Sequence, residues 1–468
     1  MEHPRDNVTS ENPDAEPQLQ RGIGVVQATA MNMANMVGIG PFVTIPLLMT
    51  ALGGPQAMIA WGVALVIALA DGLVWSELGA AMPGSGGTYK FLREGLGRER
   101  WGRLMSFLFI WQFLFSGPLE IASGFIGFAG YLRYLWNDQQ GVKIAAGAAG
   151  VLAIIMLYRP IRNIGRVIIV LWIGSLFTVA IVLFTGAMHF DAKKAFDFPP
   201  DAWVIGPAFF MGLGAASRVG MYDYLGYYNV CHLGDEVRQP GRVIPRSVLL
   251  SLVVVAVLYA GVNLSVIGII PWREFVPVPA SGDPAPVVSM MMERVWGAGF
   301  AQAFTFLVLF TALASCVAGL LGYSRIPFAA ARDGNFFRIF ARLHPTGAFP
   351  YVSLLVVGSL AVIFTFLPLM WVIDGLFTTR IVVQFCGQII ALMVLRKHRP
   401  DLMRPFKMWL YPLPAFVAFG GWIFFLITTD MKMLAYGATV IVAGLLAFLA
   451  LSKGSGRWPF ASTGNAEQ

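Results

Sequence analysis

Charged residues are scarce in this 468-residue sequence: Asp, Glu, Lys and Arg make up 12% of it, and hydrophobic residues 57%. A soluble globular chain is about a quarter charged, so an ordinary soluble fold is excluded. The apolar content also excludes disorder away from the ends. Cysteine is nearly absent. Cys231, Cys316 and Cys386 are too few and too scattered for a disulfide framework or a thiolate zinc site, and no disulfide-linked partner is expected. The histidines at 3, 189, 232, 344 and 398 lack ligand spacing such as HExxH, so no metal is expected. Pro83-Gly84-Ser85-Gly86 lacks a Walker lysine, and Gly212-Leu213-Gly214 follows no strand. Neither a nucleotide nor another cofactor is expected, and with no nucleophile–base pair in view the chain does not read as an enzyme.

What the sequence has is apolar length. From Gly22 to Ala70 run 49 residues without a charge, interrupted by Leu52-Gly53-Gly54-Pro55. A bilayer-spanning helix needs about 20, so this stretch holds two spans. Further spans fall near 103–135, 142–158, 164–188, 202–234, 246–270, 296–324, 350–367, 369–395, 409–429 and 432–452. The expected fold is an all-α polytopic membrane protein of about 12 helices. With the N-terminus cytoplasmic, the segments on that side collect 24 Lys and Arg against 7 on the other. That asymmetry is the positive-inside pattern, so a multi-pass protein of the cytoplasmic membrane is expected, with both termini inside. The formal charge of +8 then orients the chain in lipid, and no nucleic-acid partner is needed to explain it. Residues 1–20 and 453–468 read as short polar tails. No basic n-region precedes a short apolar run, so the first span is expected to direct insertion.

Two spans are poorly built as continuous helices. The first carries Met36-Val37-Gly38-Ile39-Gly40-Pro41-Phe42 near its middle, and the sixth carries Gly220-Met221-Tyr222-Asp223-Tyr224-Leu225-Gly226. Pro41 has no amide hydrogen, and glycine favours non-helical backbone. Free backbone groups in hydrocarbon cost several kcal/mol each, so such breaks persist where they line a cavity. A proline kink and a glycine packing notch are the alternative. The positions favour the cavity: spans one and six open two successive five-helix sets, and an odd repeat length inverts one set against the other. The half-helix after Gly40 would present N–H groups and a positive dipole end to a carboxylate. The halves ending near Val37 and Tyr222 would present carbonyls to an ammonium.

The residues at this point resemble the amino acid–polyamine–organocation superfamily of transporters. Val37-Gly38-Ile39-Gly40-Pro41-Phe42 is similar to that family's first-helix break, with Ile39 in place of the usual small residue. Glu77 to Pro83, followed by Gly86-Gly87-Thr88-Tyr89, resembles the end of its second helix. Tyr224 to Pro245, with Gly226, Glu236 and Pro240, resembles the sixth helix and its exit. Ser324-Arg325, Ala331-Arg332-Asp333-Gly334 and Leu343-His344-Pro345 resemble the end of the eighth and the loop after it. The resemblance implies a LeuT-like 5+5 inverted repeat over residues 21–400 plus two further helices over 401–452. It implies a secondary transporter that moves amino acids by alternating access, proton-coupled or by exchange. Substrate would sit between helices one and six, with contributions from three, eight and ten, at Val37, Gly38, Ile39, Gly40, Tyr222, Asp223, Tyr224 and Gly226. Tyr222 falls where relatives carry an aromatic that closes over substrate. Tyr228-Asn229-Val230-Cys231-His232-Leu233 also resembles a plant-type polyamine-uptake branch, which makes polyamine or organic-amine uptake the alternative. A non-transporting nutrient sensor is the reading from another class.

Ionisable residues within spans are costly and need a reason. Glu120, midway along the third span, reads as a proton carrier, as a counter-charge for a cationic substrate, or as a structural partner of Arg218 or Arg380. Arg380 reads as a gate paired with Glu120 or Asp223, or as a ligand for a substrate carboxylate. Asp223 reads as a site residue ahead of a cap for exposed amides. Asp71 reads as structurally paired, and Asp374, a turn inside the outer end of its span, as wet. The coupling ion is expected to be H+. Na+ is the alternative, because Gly174-Ser175 stands where several relatives carry a lysine, and the Ser175 hydroxyl could help to bind it.

Overall fold

The computed structural model describes residues 22–84, 86–158, 164–279, 283–347 and 349–460, without the side chains of 164–172. The tail expected over 1–20, the end of the other tail beyond 460 and the basic stretch at 159–163 lie outside the described residues. Within them, each span expected from the sequence contains an α-helix. In chain order these are α1 (Val25–Met36) and α2 (Gly40–Leu52) as two parts of the first span, then α3 (Met58–Ala81). A short α4 (Thr88–Gly95) leads to α5 (Trp101–Leu135), α6 (Gln139–Leu157) and α7 (Ile164–His189). After α8 (Ala192–Ala195) come α9 (Pro207–Tyr224) and α10 (Pro240–Ile267). Then follow α11 (Val287–Trp296), α12 (Ala298–Tyr323), α13 (Arg325–Arg332), α14 (Tyr351–Phe364), α15 (Leu369–Arg380), α16 (Gly387–His398), α17 (Leu413–Ile427) and α18 (Met431–Gly454). A π-helical turn, Ile381–Cys386, joins α15 to α16. Among the described residues 7 helices are long and apolar enough to cross a membrane, or 8 if the bent pair α1–α2 counts as one span. The chain is thus an all-α polytopic membrane protein.

The first break falls within its expected stretch but is shorter. Val37, Gly38 and Ile39 leave the helix, α2 restarts at Gly40, and the two axes meet at 54°. Pro41 stands in the first turn of α2, where a missing N–H leaves no bond unmade. The sixth span departs from expectation. Gly220 to Tyr224 are helical, and the chain leaves α9 only at Leu225 and Gly226. Gly226 has a φ of +113°, which glycine adopts without strain, and a Cβ there would lie 2.9 Å from Asn35 Cβ. No second α half-helix follows; one 3-10 turn, Asn229–His232, leads into further turns. The reason is tertiary. Val230 N–H donates to Asn32 Oδ1 at 2.9 Å. The N–H groups of Gly22 and Ile23 donate to Glu236 O at 2.9 and 3.0 Å, and Arg238 N–H donates to Ile23 O at 2.9 Å. Bonds to α1 and the segment before it take over what a helix would have made internally.

The two broken spans therefore run antiparallel, α2 beside α9 and α1 beside the turns after Gly226. The long α5 packs against α12, α14, α15 and α18 and forms the wall opposite them. The two ends of the bundle are stitched separately. At one end Arg396 pairs with Glu77 at 2.5 Å and Asn335 bonds Tyr89. At the other, Arg294 pairs with Glu274 at 2.7 Å, Lys143 with Asp283 at 3.2 Å, and Arg273 with Asp197. Glu77 is fully buried and takes two arginines, Arg396 and Arg404 (3.7 Å), together with Met408 N–H (2.8 Å). It fixes the segment before α17 to the end of α3. Removing one partner of a buried pair costs about 3–5 kcal/mol, whereas an exposed pair is worth under about 1 kcal/mol. Glu77→Ala is expected to lower the thermal midpoint of the detergent-purified protein by several degrees. Glu94→Ala, which removes the partner of the exposed Arg98, is expected to leave it unchanged.

Candidate functional site

A cavity of about 80 Å³ lies where the two breaks meet. The first break lines it with Met36, Gly38, Ile39 and Gly40, and the sixth span with Tyr222, Asp223 and Leu225. From α5 come Glu120, Ile121, Ser123 and Gly124; from α12 come Ser315, Cys316, Gly319 and Tyr323. Asn35, Gly319 and Tyr323 are shared with a second cavity of about 470 Å³, which extends past Gly226, Tyr228 and His232 to Tyr89 and Asp333. That larger space reaches the end of the bundle that carries α4 and α13. Tyr222, on the other side of the break, shares a hydroxyl–hydroxyl hydrogen bond of 2.5 Å with Ser123 and ties α9 to α5.

Of the residues expected to bind substrate, Gly38, Ile39, Gly40, Tyr222 and Asp223 line the small cavity. Gly226 lines the larger one. Val37 is buried but lines neither. Tyr224 turns away: its ring meets Trp61 edge-on at 5.4 Å and stacks near Tyr259 at 6.2 Å. The helix continuing through 224 sets this, because successive side chains are rotated by about 100° and cannot share a face. Ser175 is buried on α7, one turn from Thr178, whose hydroxyl meets Thr311 of α12 at 3.1 Å. It lines neither cavity. Asn35, Ser123, Ser315 and Tyr323 are site residues that the sequence did not single out. A helical reading of α5 would have found Ser123, which sits at i+3 from Glu120; the others have no signal in the sequence.

The arginines settle on separate carboxylates. Arg380 Nη2 lies 2.6 Å from Glu120 Oε2, and Arg380 Nε donates to Ser116 Oγ at 3.0 Å. Tyr323 O–H donates to Glu120 Oε1 at 2.6 Å. The Arg380–Glu120–Tyr323 set thus stands where the two cavities adjoin and ties α15, α5 and α12 together, with Arg380 at the start of the π-helical turn. Such turns often occur at functional sites. Arg218 pairs with Asp374 at 2.9 Å, and Asp374 is 8% exposed rather than wet. Asp71 is paired with no cation among the described residues. It accepts instead from Tyr227 O–H (2.5 Å), Trp75 Nε1 (2.9 Å) and Trp422 Nε1 (3.2 Å).

Asp223 is different. Its Oδ2 accepts from Thr44 O–H at 2.6 Å. Its Oδ1 has no hydrogen-bond partner and no ion pair among the described residues, although the residue is only 3% exposed. Oδ1 rests against Gly40, where an added Cβ would collide with it. The carbonyls expected to meet an ammonium are largely occupied: Met36 O accepts from Tyr259 O–H at 2.6 Å and from Gly38 N–H at 3.1 Å, and Tyr222 O accepts from Leu225 N–H at 3.2 Å.

The sequence profile of a family described as amino acid permease matches residues 23–450. The branched-chain amino acid permease BcaP of Bacillus subtilis (strain 168) is 25% identical over 415 residues, 84% of each chain. The serine/threonine exchanger SteT of the same organism is 23% identical over 443 residues, 93% of this chain and 98% of its own. Cationic amino acid transporter 4 of Homo sapiens is 25% identical over 362 residues, 75% of this chain, which spans 56% of that protein's length.

Stranding a buried charge costs about 3–5 kcal/mol, whereas replacing both partners is often near neutral. Arg380→Met is therefore expected to lower the thermal midpoint strongly, and Glu120→Gln on top of it to restore most of the loss. A double variant no more stable than Arg380→Met would show that the pair is not coupled.

Proposed function

This chain belongs to the amino acid permease family, and from that premise we propose that it is a secondary transporter. It carries amino acids, or amines derived from them, across the cytoplasmic membrane by alternating access. The observation that carries the reading is the cavity between two antiparallel helix breaks, with the unpartnered Asp223 carboxyl in its wall. Residues 21–400 act as a five-plus-five inverted repeat, and α17 and α18 are additional to it. The 24 to 7 distribution of basic residues favours cytoplasmic termini. On that orientation the larger cavity is an inner vestibule, and the Tyr222–Ser123 bond closes the site on the outside.

Coupling runs through Asp223. A buried carboxylate without a cation is costly, so the empty site holds a proton there and the loaded site holds the substrate ammonium. One carboxyl takes either but not both, which makes the coupling an exchange of proton for substrate. Glu120 is already held by Arg380 and Tyr323 and serves in the gate between the cavities. Ser175 lies away from the cavity, which favours H+ over Na+ as the ion.

The test is uptake into proteoliposomes against protein-free liposomes, with labelled valine, leucine, serine, isobutylamine and putrescine. The expected result is uptake of at least one compound, accelerated several-fold by an acid interior and lost in Asp223→Asn. Acceleration by an alkaline interior overturns single-carboxyl exchange, and acceleration by a sodium gradient alone moves the coupling to Na+. Binding without flux favours the sensor.

A further inference from the structure

Two carboxylates line the small cavity, and their electrostatic states differ. Glu120 is neutralised by Arg380 at 2.6 Å and receives the Tyr323 hydroxyl. Asp223 has one oxygen on Thr44 and the other on nothing, in a residue that is 97% buried by its 3% exposure. The cavity therefore offers one uncompensated negative charge. A ligand that matches it carries one positive charge. A dication would bring a second charge for which the cavity wall has no counter-charge, because Glu120 is spent.

Part of the main chain at the break is already taken. Both lone pairs of Met36 O are in use, by Tyr259 O–H and Gly38 N–H, so an ammonium finds its strong acceptor in Asp223 Oδ1. On the carboxylate side, Pro41 has no N–H and Phe42 N–H is bonded to Ile39 O at 3.0 Å. The start of α2, where a ligand carboxylate would approach the positive end of the helix, already has Asp223 Oδ1 against Gly40. A second carboxylate there would meet a like charge in a site screened from water.

We propose that Asp223 takes the place of the substrate's own α-carboxylate, so that the site selects small primary monoamines lacking that group over the parent amino acids. The ammonium bonds Asp223 Oδ1, and a short aliphatic tail lies against Ile39, Ile121 and Cys316. The small cavity, about 80 Å³ against the ~150 Å³ that holds benzene, takes the ammonium and the first carbons, and a longer tail extends toward the larger cavity that shares Asn35, Gly319 and Tyr323 with it. The proposal rests on the reading of the cavity as a transport site and narrows its substrate class.

The test is equilibrium binding to the detergent-purified protein at neutral pH, read by ligand-induced thermal stabilisation. Amino acids are set against their decarboxylated counterparts: valine against isobutylamine, leucine against isoamylamine, with putrescine as the dication. The monoamines are expected to bind about tenfold or more tighter than valine, leucine and putrescine, the worth of one charge-assisted bond. Asp223→Asn, eluting as a monodisperse species, is expected to lose most of that affinity. Asp223→Gly, which removes the charge and vacates the start of α2, is expected to reverse the order and favour valine. Valine or leucine binding as tightly as its amine in the unaltered protein overturns the proposal, and so does putrescine binding tightest. Amine affinity unchanged in Asp223→Asn overturns the role of that residue. Flux of an amino acid in proteoliposomes with no amine binding leaves the transporter reading standing and this one not; neither binding nor flux of any compound removes both.

Discussion

Hydrocarbon offers no hydrogen bonds, and every irregularity in this protein answers to that constraint. A helix satisfies its own backbone; a break does not, and the freed groups must find partners inside the protein. Here they come from elements far away in sequence. Asn32 on α1 receives the amide of Val230, and Tyr259 on α10 caps the carbonyl that ends α1. Pro46 inside α2 leaves Phe42 O without its helical N–H, and Tyr131 on α5 donates to it at 3.0 Å. The stretch after Gly226 forms turns rather than a second α half-helix because the segment around Ile23 and α1 accept and donate what that half-helix would have used.

Charges obey the same constraint by four different routes. Glu77 is met by two arginines and a backbone amide, Asp374 by one arginine, Asp71 by three neutral donors, and Glu120 by an arginine and a tyrosine. Each arrangement locks two or more helices to one another. Asp223 is the exception, and it faces the cavity. A carboxyl left without a cation at such depth is retained at a cost in stability.

Two cavities and a set of three side chains between them organise the centre of the bundle. The small cavity is bounded by α5 and α12 on one side and by the antiparallel breaks on the other. Glu120, Tyr323 and Arg380 join α5, α12 and α15 where it adjoins the larger space. The irregular backbone of the π-helical turn follows directly after Arg380.

Much of this was legible in the sequence. Apolar runs without charge mark the spans because a bilayer admits little else, and the glycines and Pro41 mark the first break because their backbone chemistry is local. Gly38, Ile39 and Gly40 were expected at the cavity for that reason, Tyr222 by resemblance and Asp223 by its charge within a span, and all five line it. What stayed hidden depends on rotation of one helix against another. Whether Glu120 meets Arg218 or Arg380, whether Tyr224 faces the cavity or Trp61, and whether the carbonyl of Met36 is open or capped by Tyr259 are questions of which face meets which partner. Hydropathy and glycine content, being properties of a residue and its neighbours in the chain, determined that this protein is a bundle of membrane helices with a break around Val37–Ile39. Only the packing of helices hundreds of residues apart decided which of its buried charges are spent and which one remains, because an ion pair is a distance, and no local pattern encodes it.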